Sequence, residues 1–577
     1  MSSAVYFSDV DRTVQARDGE TIYETARRGA VRIVGACGGR GTCGSCMVRV
    51  NGSRKWERAC QLKADGEVSV KIAPRSLARV VRAEAEGGHE VLLLDSAIET
   101  RQIAPTAPSL SNPVADDDNA AAGLTMMPEA ARALSETLRA CGWQAELRLR
   151  DGQLIDAVEP GRPLLALAVD LGTTNVAGFL IDLRTGERVS GVGIENPQVG
   201  WGADVIARIN AAVKDRQAEA DLTATIRTAL AALAHDLALA IGARARDIVD
   251  VAICGNTAMH HLLLGLPVYQ LGKAPFVASV RDAMTLPAAA LGLGVSPGAD
   301  VHVAANIGGF VGGDHVTALL ATRERWLGDG VSLVMDIGTN TEISVIQNGR
   351  ILSASSPSGP ALEGGNISSG MRAAEGAIER VWLEDGRLAI ATIAEKEPIG
   401  LCGSGVLDML AAVHQAGIIQ SGGRIQAGHA DVVTEGGKSL IRLADEVLVN
   451  QQDIRAIQLA KSAIRTATQM LLAEAGLQEA DVDRFLIAGA FGAYISVASG
   501  IATGLFPDLP RERFEQLGNA AGLGIRQMAA SRSARMLARK IAAEARYIEL
   551  SARPGFQQAF LANLAIPETN PLVRRAS

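Results

Sequence analysis

Residues 164–189, LLALAVDLGTTNVAGFLIDLRTGERV, and residues 331–352, VSLVMDIGTNTEISVIQNGRIL, carry one pattern twice. In each, an apolar strand ends near an aspartate, a tight turn follows, and a second apolar strand leaves the turn. Asp170 aligns with Asp336, Gly172 with Gly338 and Thr173 with Thr339; Thr174 and Asn340 come next in the two turns. A single Asp-x-Gly turn is a common hairpin. Two copies 166 residues apart predict two similar lobes facing each other.

The residue types suit one chemistry. Glycine lets the turn's amides point at phosphate oxygens, and threonine hydroxyls add donors. A carboxylate at the end of the strand holds Mg²⁺, usually through water. Two such turns clamp a polyphosphate, and closing the clamp moves the lobes. A third stretch, RFLIAGAFGAYI (484–495), places Gly489, Ala490 and Gly492 at the end of a strand. Together these motifs resemble the actin/Hsp70/sugar-kinase (ASKHA) superfamily of ATPases; the bland alternative is three turns in an unrelated α/β enzyme. The resemblance implies that Asp170, Gly172, Thr173, Thr174, Asp336, Gly338, Thr339 and Asn340 bind nucleotide phosphates. It also implies that Gly489, Ala490 and Gly492 pack on adenosine, and that Asp170 and Asp336 are catalytic, organising Mg²⁺ and the attacking water.

The front of the chain reads differently. GACGGRGTCGSC (35–46) puts Cys37, Cys43 and Cys46 in a loop that is mostly glycine, and Cys60 completes a C-x5-C-x2-C-x13-C spacing. Only Cys43 and Cys46 show the short pairing of structural zinc sites. Four thiolates on a backbone that can approach closely suit a two-iron cluster better, because amides near its sulfurs stabilise the charge. Zinc is the alternative. AVYFSDVDRTVQARDG predicts a hairpin, and TIYETARRGA a short helix with Thr21 and Glu24 as a capping box. MVRVNG and EVSVKI alternate like half-buried strands. Residues 1–79 thus resemble the β-grasp fold of plant-type and adrenodoxin-type [2Fe–2S] ferredoxins, the x5 gap being adrenodoxin-like. Cys141, Cys254 and Cys402 stand alone and are expected to be buried and structural.

Residues 80–123 include IAPTAPSLSNPVADDDNAAAG (103–123), which lacks an apolar period and predicts a linker. Residues 124–162 predict a small module, a helix over 127–140 and two strands turning at Asp151–Gly152. The ATPase then divides into lobe I (163–330) and lobe II (331–577). The expected fold class is multidomain α+β and α/β: a β-grasp ferredoxin, a linker, a small α+β module and a two-lobed actin-like ATPase. Glycine-rich stretches at 254–265, 306–314, 359–371, 401–410 and 518–524 read either as anion-binding helix starts or as close loop-to-helix packing, with Ser404 a candidate cap. His260 and His261, adjacent on a helix, are expected to point apart and offer no i, i+4 zinc pair.

Composition removes other classes. A net charge of −7 with only 3% aromatic residues speaks against a nucleic-acid partner. No apolar run reaches the roughly 18 residues of a membrane span, and MSSAVYFSDVDR lacks a signal-peptide pattern. A cytoplasmic location follows as an expectation, and clustered cytosolic thiols favour metal over disulfides.

An electron carrier and an ATPase on one chain are a rare pairing. With NPQVGWGADVIARI (196–209), GPALEGGNISSGMRAAEGAIE (359–379) and QLAKSAIRTA (458–467), the chain resembles over nearly its whole length the reductive activators of corrinoid-dependent methyltransferases. The resemblance implies ATP-dependent one-electron reduction of an inactive cob(II)alamin protein to cob(I)alamin. The cofactors implied are a [2Fe–2S] cluster, ATP and Mg²⁺. The partners implied are a corrinoid protein or methyltransferase, an upstream electron donor and a second copy in a homodimer, with the linker over 80–123 letting the cluster domain swing. Rival readings are an activator of a radical dehydratase or reductase, a small-molecule kinase, and a redox-gated ATP-binding module.

Overall fold

The computed structural model describes residues 3–29, 31, 33, 46–53, 55–73, 91–202, 204–489 and 492–568. Cys37, Cys43 and Ala490 lie outside the described residues.

At the front, β1 (Ala4–Phe7) pairs antiparallel with β2 (Arg12–Gln15) and parallel with β5 (Glu67–Ile72). With β3 (Met47–Val50) and β4 (Glu57–Arg58), the sheet order is β2-β1-β5-β3-β4. The expected alternation holds in β5, where Val68, Val70 and Ile72 turn into a core with Val5, Phe7 and Ile22. Helix α1 (Ile22–Arg28) starts at the expected capping box. The Thr21 amide donates to Glu24 Oε2 at 2.8 Å, and the Glu24 amide to Thr21 Oγ1 at 3.2 Å. This is the β-grasp arrangement.

The expected linker is corrected. Within it, β6 (Ile98–Ile103) pairs along its whole length with β8 (Ala145–Arg150), and Asp116–Ala120 forms a short helix. The sheet order is β6-β8-β9-β7, with β7 (Thr125–Met126) and β9 (Gln153–Val158), and α2 (Pro128–Ala140) covers it through Leu134 and Leu138. The module therefore begins near residue 98, not 124. The preceding residues are also anchored: the Leu92 amide donates to Gly186 O at 3.0 Å, and Asp95 Oδ2 accepts from the Ser533 hydroxyl at 2.6 Å. Residues 92–95 and 98–103 are therefore built into the body and not part of a free linker; residues 80–90 of the expected linker lie outside the described residues.

Lobe I is a six-stranded sheet of order β12-β11-β10-β13-β15-β14. Its strands are β10 (Leu165–Leu171), β11 (Asn175–Asp182), β12 (Arg188–Glu195), β13 (Ile248–Gly255), β14 (Met284–Pro287) and β15 (Asp300–Val303). Helices α3 (Val205–Lys214), α4 (Arg216–Ala240) and α5 (Thr257–Leu264) cover its outer face. Lobe II repeats the topology, β18-β17-β16-β19-β20, using β16 (Val331–Ile337), β17 (Thr341–Gln347), β18 (Arg350–Ser356), β19 (Val482–Ala488) and β20 (Phe514–Gly518). Helices α7 (Gly403–Gln415) and α8 (Gln451–Glu474) cover its far side.

Three helices fill the space between the sheets: α6 (Gly313–Ala321), α9 (Ala520–Ala530) and α10 (Arg532–Glu544). One apolar cluster joins Ala166, Phe179 and Ala252 of sheet I to Ile525, Met528 and Ile541, and on to Val334 and Leu486 of sheet II. The chain thus crosses back to lobe I at its end. Glycine makes the crossing close: a Cβ on Gly524 would lie 2.0 Å from Thr317 O. For residues 518–524, packing is the reading that holds.

Deleting residues 99–108 removes β6 and leaves β8 as an unpaired edge strand. A clear fall in melting temperature and new proteolysis in the module are expected; a deletion that leaves both unchanged would restore the linker reading.

Candidate nucleotide and cluster sites

Asp170 and Asp336 stand near the ends of the two central strands because each turn needs the chain to leave its sheet there. In register, Asp170 sits beside Cys254 on β13, and Asp336 beside Ala488 on β19 and Glu342 on β17. The two turns meet. Thr174 Oγ1 and Thr339 Oγ1 are 2.9 Å apart, and Thr339 Oγ1 donates to Glu363 Oε2 at 3.2 Å. A hydroxyl has one proton, so Thr174 is the donor to Thr339. Asn256, at the start of α5, donates to Thr173 Oγ1 at 2.8 Å, and Arg372 of lobe II pairs with Glu195 of lobe I at 3.0 Å. The duplicated turns predicted from sequence therefore face each other across one cleft.

The cleft is acidic and poorly solvated. Burial first, then the Asp314 charge, pushes Asp336 up to about 7. Burial alone pushes Asp314, in the first turn of α6, up to about 6. Glu342 is pushed well above the carboxylate range by burial and by both aspartates. Cys254 Sγ lies 3.8 Å from Asp170 Oδ1, and burial and that carboxylate raise its thiol. Three carboxyls crowded into low dielectric disfavour their charged forms. A divalent cation would reverse that preference, but among the described residues no three acidic, His or Cys side chains converge to hold one by themselves, so a bound cation would need phosphate or water for its remaining ligands.

Gly489 stands at φ +93°, and a Cβ there would lie 2.5 Å from Ile337 O and 2.8 Å from Asp336 Oδ1. Lobe I has a counterpart the sequence reading missed: a Cβ on Gly255 would lie 2.5 Å from Leu171 O. Beyond β19 and β20, a cavity of about 360 Å³ is lined by Ser404, Tyr494, Arg511, Phe514 and Gln516 among others. Gln516 Nε2 donates to Gly492 O and Ile495 O, both at 2.8 Å, and so shapes the turn beside the cavity. Ser404 is not a cap: Cys402 occupies that position in α7, and Ser404 sits inside the first turn.

In the β-grasp module, Cys46 and Cys60 are both buried, with their sulfurs 3.3 Å apart. The Ala59 amide donates to Cys46 O at 2.7 Å and ties the two segments together. Two thiols at that separation fit shared ligation of one iron. Cys254 and Cys402 are buried as expected, while Cys141 is half-buried. His260 and His261 are buried but do not point apart: their Nδ1 atoms are 3.2 Å apart, and His261 also meets Thr257 O at 2.7 Å and accepts from the Ser279 amide at 2.9 Å. The 458–467 signature stays away from the cleft. There Lys461 Nζ donates to Asn563 O and Ala565 O, both at 2.7 Å, strapping the C-terminal segment to α8.

Family descriptions match the chain in three consecutive parts. "2Fe-2S iron-sulfur cluster binding domain" covers residues 5–68, "RACo middle region" 165–324, and "C-terminal domain of RACo the ASKHA domain" 330–576. The chain belongs to the RACo family, the reductive activators of corrinoid proteins. The RACo assignment is supported by the "Corrinoid activation enzyme RamQ" of Eubacterium limosum, 30% identical over 559 residues, 91% of this chain and 93% of that one. The "[Co(II) methylated amine-specific corrinoid protein] reductase" of Methanosarcina barkeri is 26% identical over 391 residues, 62% of this chain and 68% of that one. The solved "Reductive activator for corrinoid,iron-sulfur protein" is 26% identical, covers both chains fully and superposes with a TM-score of 0.75. No described helix is long and apolar enough to cross a membrane.

Sequence reasoning missed Asp314, Glu342 and Glu363. A signal existed for Glu342, an acid inside the apolar run TEISVIQ. Asp314 and Glu363 lay in stretches recognised only for their glycines.

Two outcomes follow from this geometry. Gly489→Ala adds a strained backbone costing about 1–3 kcal/mol and a Cβ against Asp336, so a lower melting temperature and lost nucleotide binding are expected. In the metal-free protein, Asp314 and Asp336 keep their protons when folded and lose them when unfolded. Their folded-state values lie above the unfolded ones, so stability falls as pH rises from about 4 through about 7. Calorimetry in a chelator should show this fall, and Mg²⁺ with a non-hydrolysable ATP analogue should restore more at pH 8 than at pH 5.

Proposed function

We propose that this protein couples ATP binding and hydrolysis to one-electron reduction of a partner corrinoid protein, from cob(II)alamin to cob(I)alamin. The observation that carries the reading is the meeting of two Gly-Thr turns beside half-buried carboxylates, on a chain whose front end matches a cluster-binding module. Relatives named for corrinoid activation and reduction support the choice of partner. Cys37, Cys43, Cys46 and Cys60 would hold a [2Fe–2S] cluster, which supplies electrons one at a time when bound. An upstream donor of electrons is part of the proposal, as is a homodimer.

The roles of the chain's own residues follow from position. Gly172, Thr173, Thr174, Gly338, Thr339 and Asn340 offer amides and hydroxyls to the phosphates. Asp170 and Asp336 would hold Mg²⁺ and orient the attacking water, with Asp314 beside them as a proton acceptor. Gly489 and Gly492, with the 360 Å³ cavity, offer a seat for adenosine. Glu363 already accepts a proton-bearing bond at the meeting point of the turns. In hydrolysis the water oxygen attacks the γ-phosphorus, the bond to the bridging oxygen breaks, and the water's proton passes to a carboxylate such as Glu363.

Loss of a positioned base costs about 10²–10⁴-fold in rate. Glu363→Gln should therefore lower kcat of ATP hydrolysis by that order while leaving KM nearly unchanged. The whole reading is tested anaerobically by mixing a cob(II)alamin protein, a reductant, ATP and this chain, and following the cob(I) absorption band. The band should grow only when all are present. Cys60→Ser should abolish that growth and spare ATP hydrolysis. A protein that ignores adenine nucleotides, or one that reduces the corrinoid equally well without them, sinks the proposal.

A further inference from the structure

The signature NPQVGWGADVIARI (196–209) lies directly behind the first phosphate turn. Three consecutive carbonyls of that turn are taken from this side. Asn196 Nδ2 donates to Gly172 O at 2.8 Å, Arg208 Nη2 donates to Thr173 O, and the Asn196 amide donates to Thr174 O at 2.9 Å. Both side chains are wholly buried. Arg208 is held in turn by Gly202 O at 2.9 Å and Gln198 Oε1 at 3.3 Å. Its hydrogen-bonded oxygens are neutral, and the Asp204 carboxylate nearby only partly offsets its charge. Burial drags its pKa down to about 9, which still leaves it charged at neutral pH.

In a trans peptide the C=O and N–H lie in one plane and point in opposite directions. Fixing the carbonyls of residues 172–174 therefore fixes the amides of Thr173, Thr174 and Asn175 to point away from the brace. That is the side on which Thr174 meets Thr339. Lobe II has the topological equivalent, just past β18: Ser358 Oγ lies 3.4 Å from Gly338 O and 3.3 Å from Thr339 O. There a single hydroxyl serves two carbonyls at long range, with no charge.

We infer that Asn196 and Arg208 are positioning residues for the first phosphate turn. They turn its amides into a preformed anion cradle, and Arg208 adds a fixed positive charge behind it. The inference rests on the nucleotide reading above and deepens it, since it says which lobe grips the phosphates before closure. Hydrogen bonds to a charged donor are worth about 1.5–3 kcal/mol, equal to roughly 10–100-fold in affinity.

The test compares Mg·ATP and adenosine on the full-length protein by calorimetric titration. Arg208→Lys keeps the charge and loses the fork; Asn196→Ala frees Gly172 O and spares the guanidinium. Folding is checked by circular dichroism and melting. ATP affinity should fall at least about 10-fold in Arg208→Lys and about 3-fold or more in Asn196→Ala, whose lost bond is neutral, while adenosine affinity stays within about two-fold of wild type in each folded variant. If Arg208→Lys does not fold, Asn196→Ala decides alone. Unchanged ATP affinity, or a parallel loss of adenosine affinity, overturns the inference. Wild-type protein that binds neither ligand overturns the nucleotide reading instead.

Discussion

The structure turns on a conflict of charge: Asp314, Asp336 and Glu342 are packed together where the lobes meet, and burial disfavours the ionised form of each. An isolated ion in such a place costs several kcal/mol. The chain carries Asp336 and Glu342 at the ends of paired central strands, with Asp336 and Asp314 still partly open to solvent. Strand pairing sets Asp336 opposite Glu342, and α6 brings Asp314 to them. Under the proposed function, a cation arriving with a polyphosphate would relieve the conflict, and closure and ligand binding would then be one equilibrium, since a ligand shifts conformations only through its differential affinity.

The duplication goes further than the two turns. Five strands of each sheet follow the same order, and in each a glycine at the end of the fourth strand lies tight against the backbone of the aspartate strand, Gly255 on Leu171 and Gly489 on Ile337. The halves then diverge by chemistry. Lobe I follows its glycine with Asn256, which ties down Thr173, and braces its turn with a buried cation. Lobe II keeps an open cavity at the matching strand ends and braces its turn with a hydroxyl. A ligand between them meets a phosphate-facing side and a cavity-bearing side. An asymmetric molecule such as a nucleotide has one favourable orientation there.

What the sequence revealed was local, and what it hid was not. The capping box at Thr21 and Glu24 is legible because it lies within four residues. The turns are legible because they are written twice. By contrast, β6 reads IETRQI, and only its end residues are buried or half-buried, so no apolar alternation marks it as a strand. Its pairing with β8 supplies the order that its composition does not. The return of α9 and α10 to lobe I was equally invisible, because Ile525 and Met528 could serve any core. Nothing in the spacing of 196–209 singles out Arg208 on α3. Its burial depends on Gly202 and Thr173 presenting carbonyls to one point, which no spacing along the chain announces.

The place where the front of the chain joins the ATPase has a mechanical meaning. Residues 92–95 are tied at two points: Leu92 to the β11–β12 turn at Gly186, and Asp95 to the junction of α9 and α10. At that junction the Asp95 amide donates to Ala530 O at 3.1 Å, while its carboxylate accepts from the Ser533 amide at 2.9 Å and hydroxyl at 2.6 Å. Those two helices lie between the sheets and touch the apolar core of both. A lobe movement that shifts α9 must carry the Asp95 anchor with it or break these bonds. The nucleotide cleft and the segment leading to the β-grasp module are thus linked through packed helices and not through a slack tether.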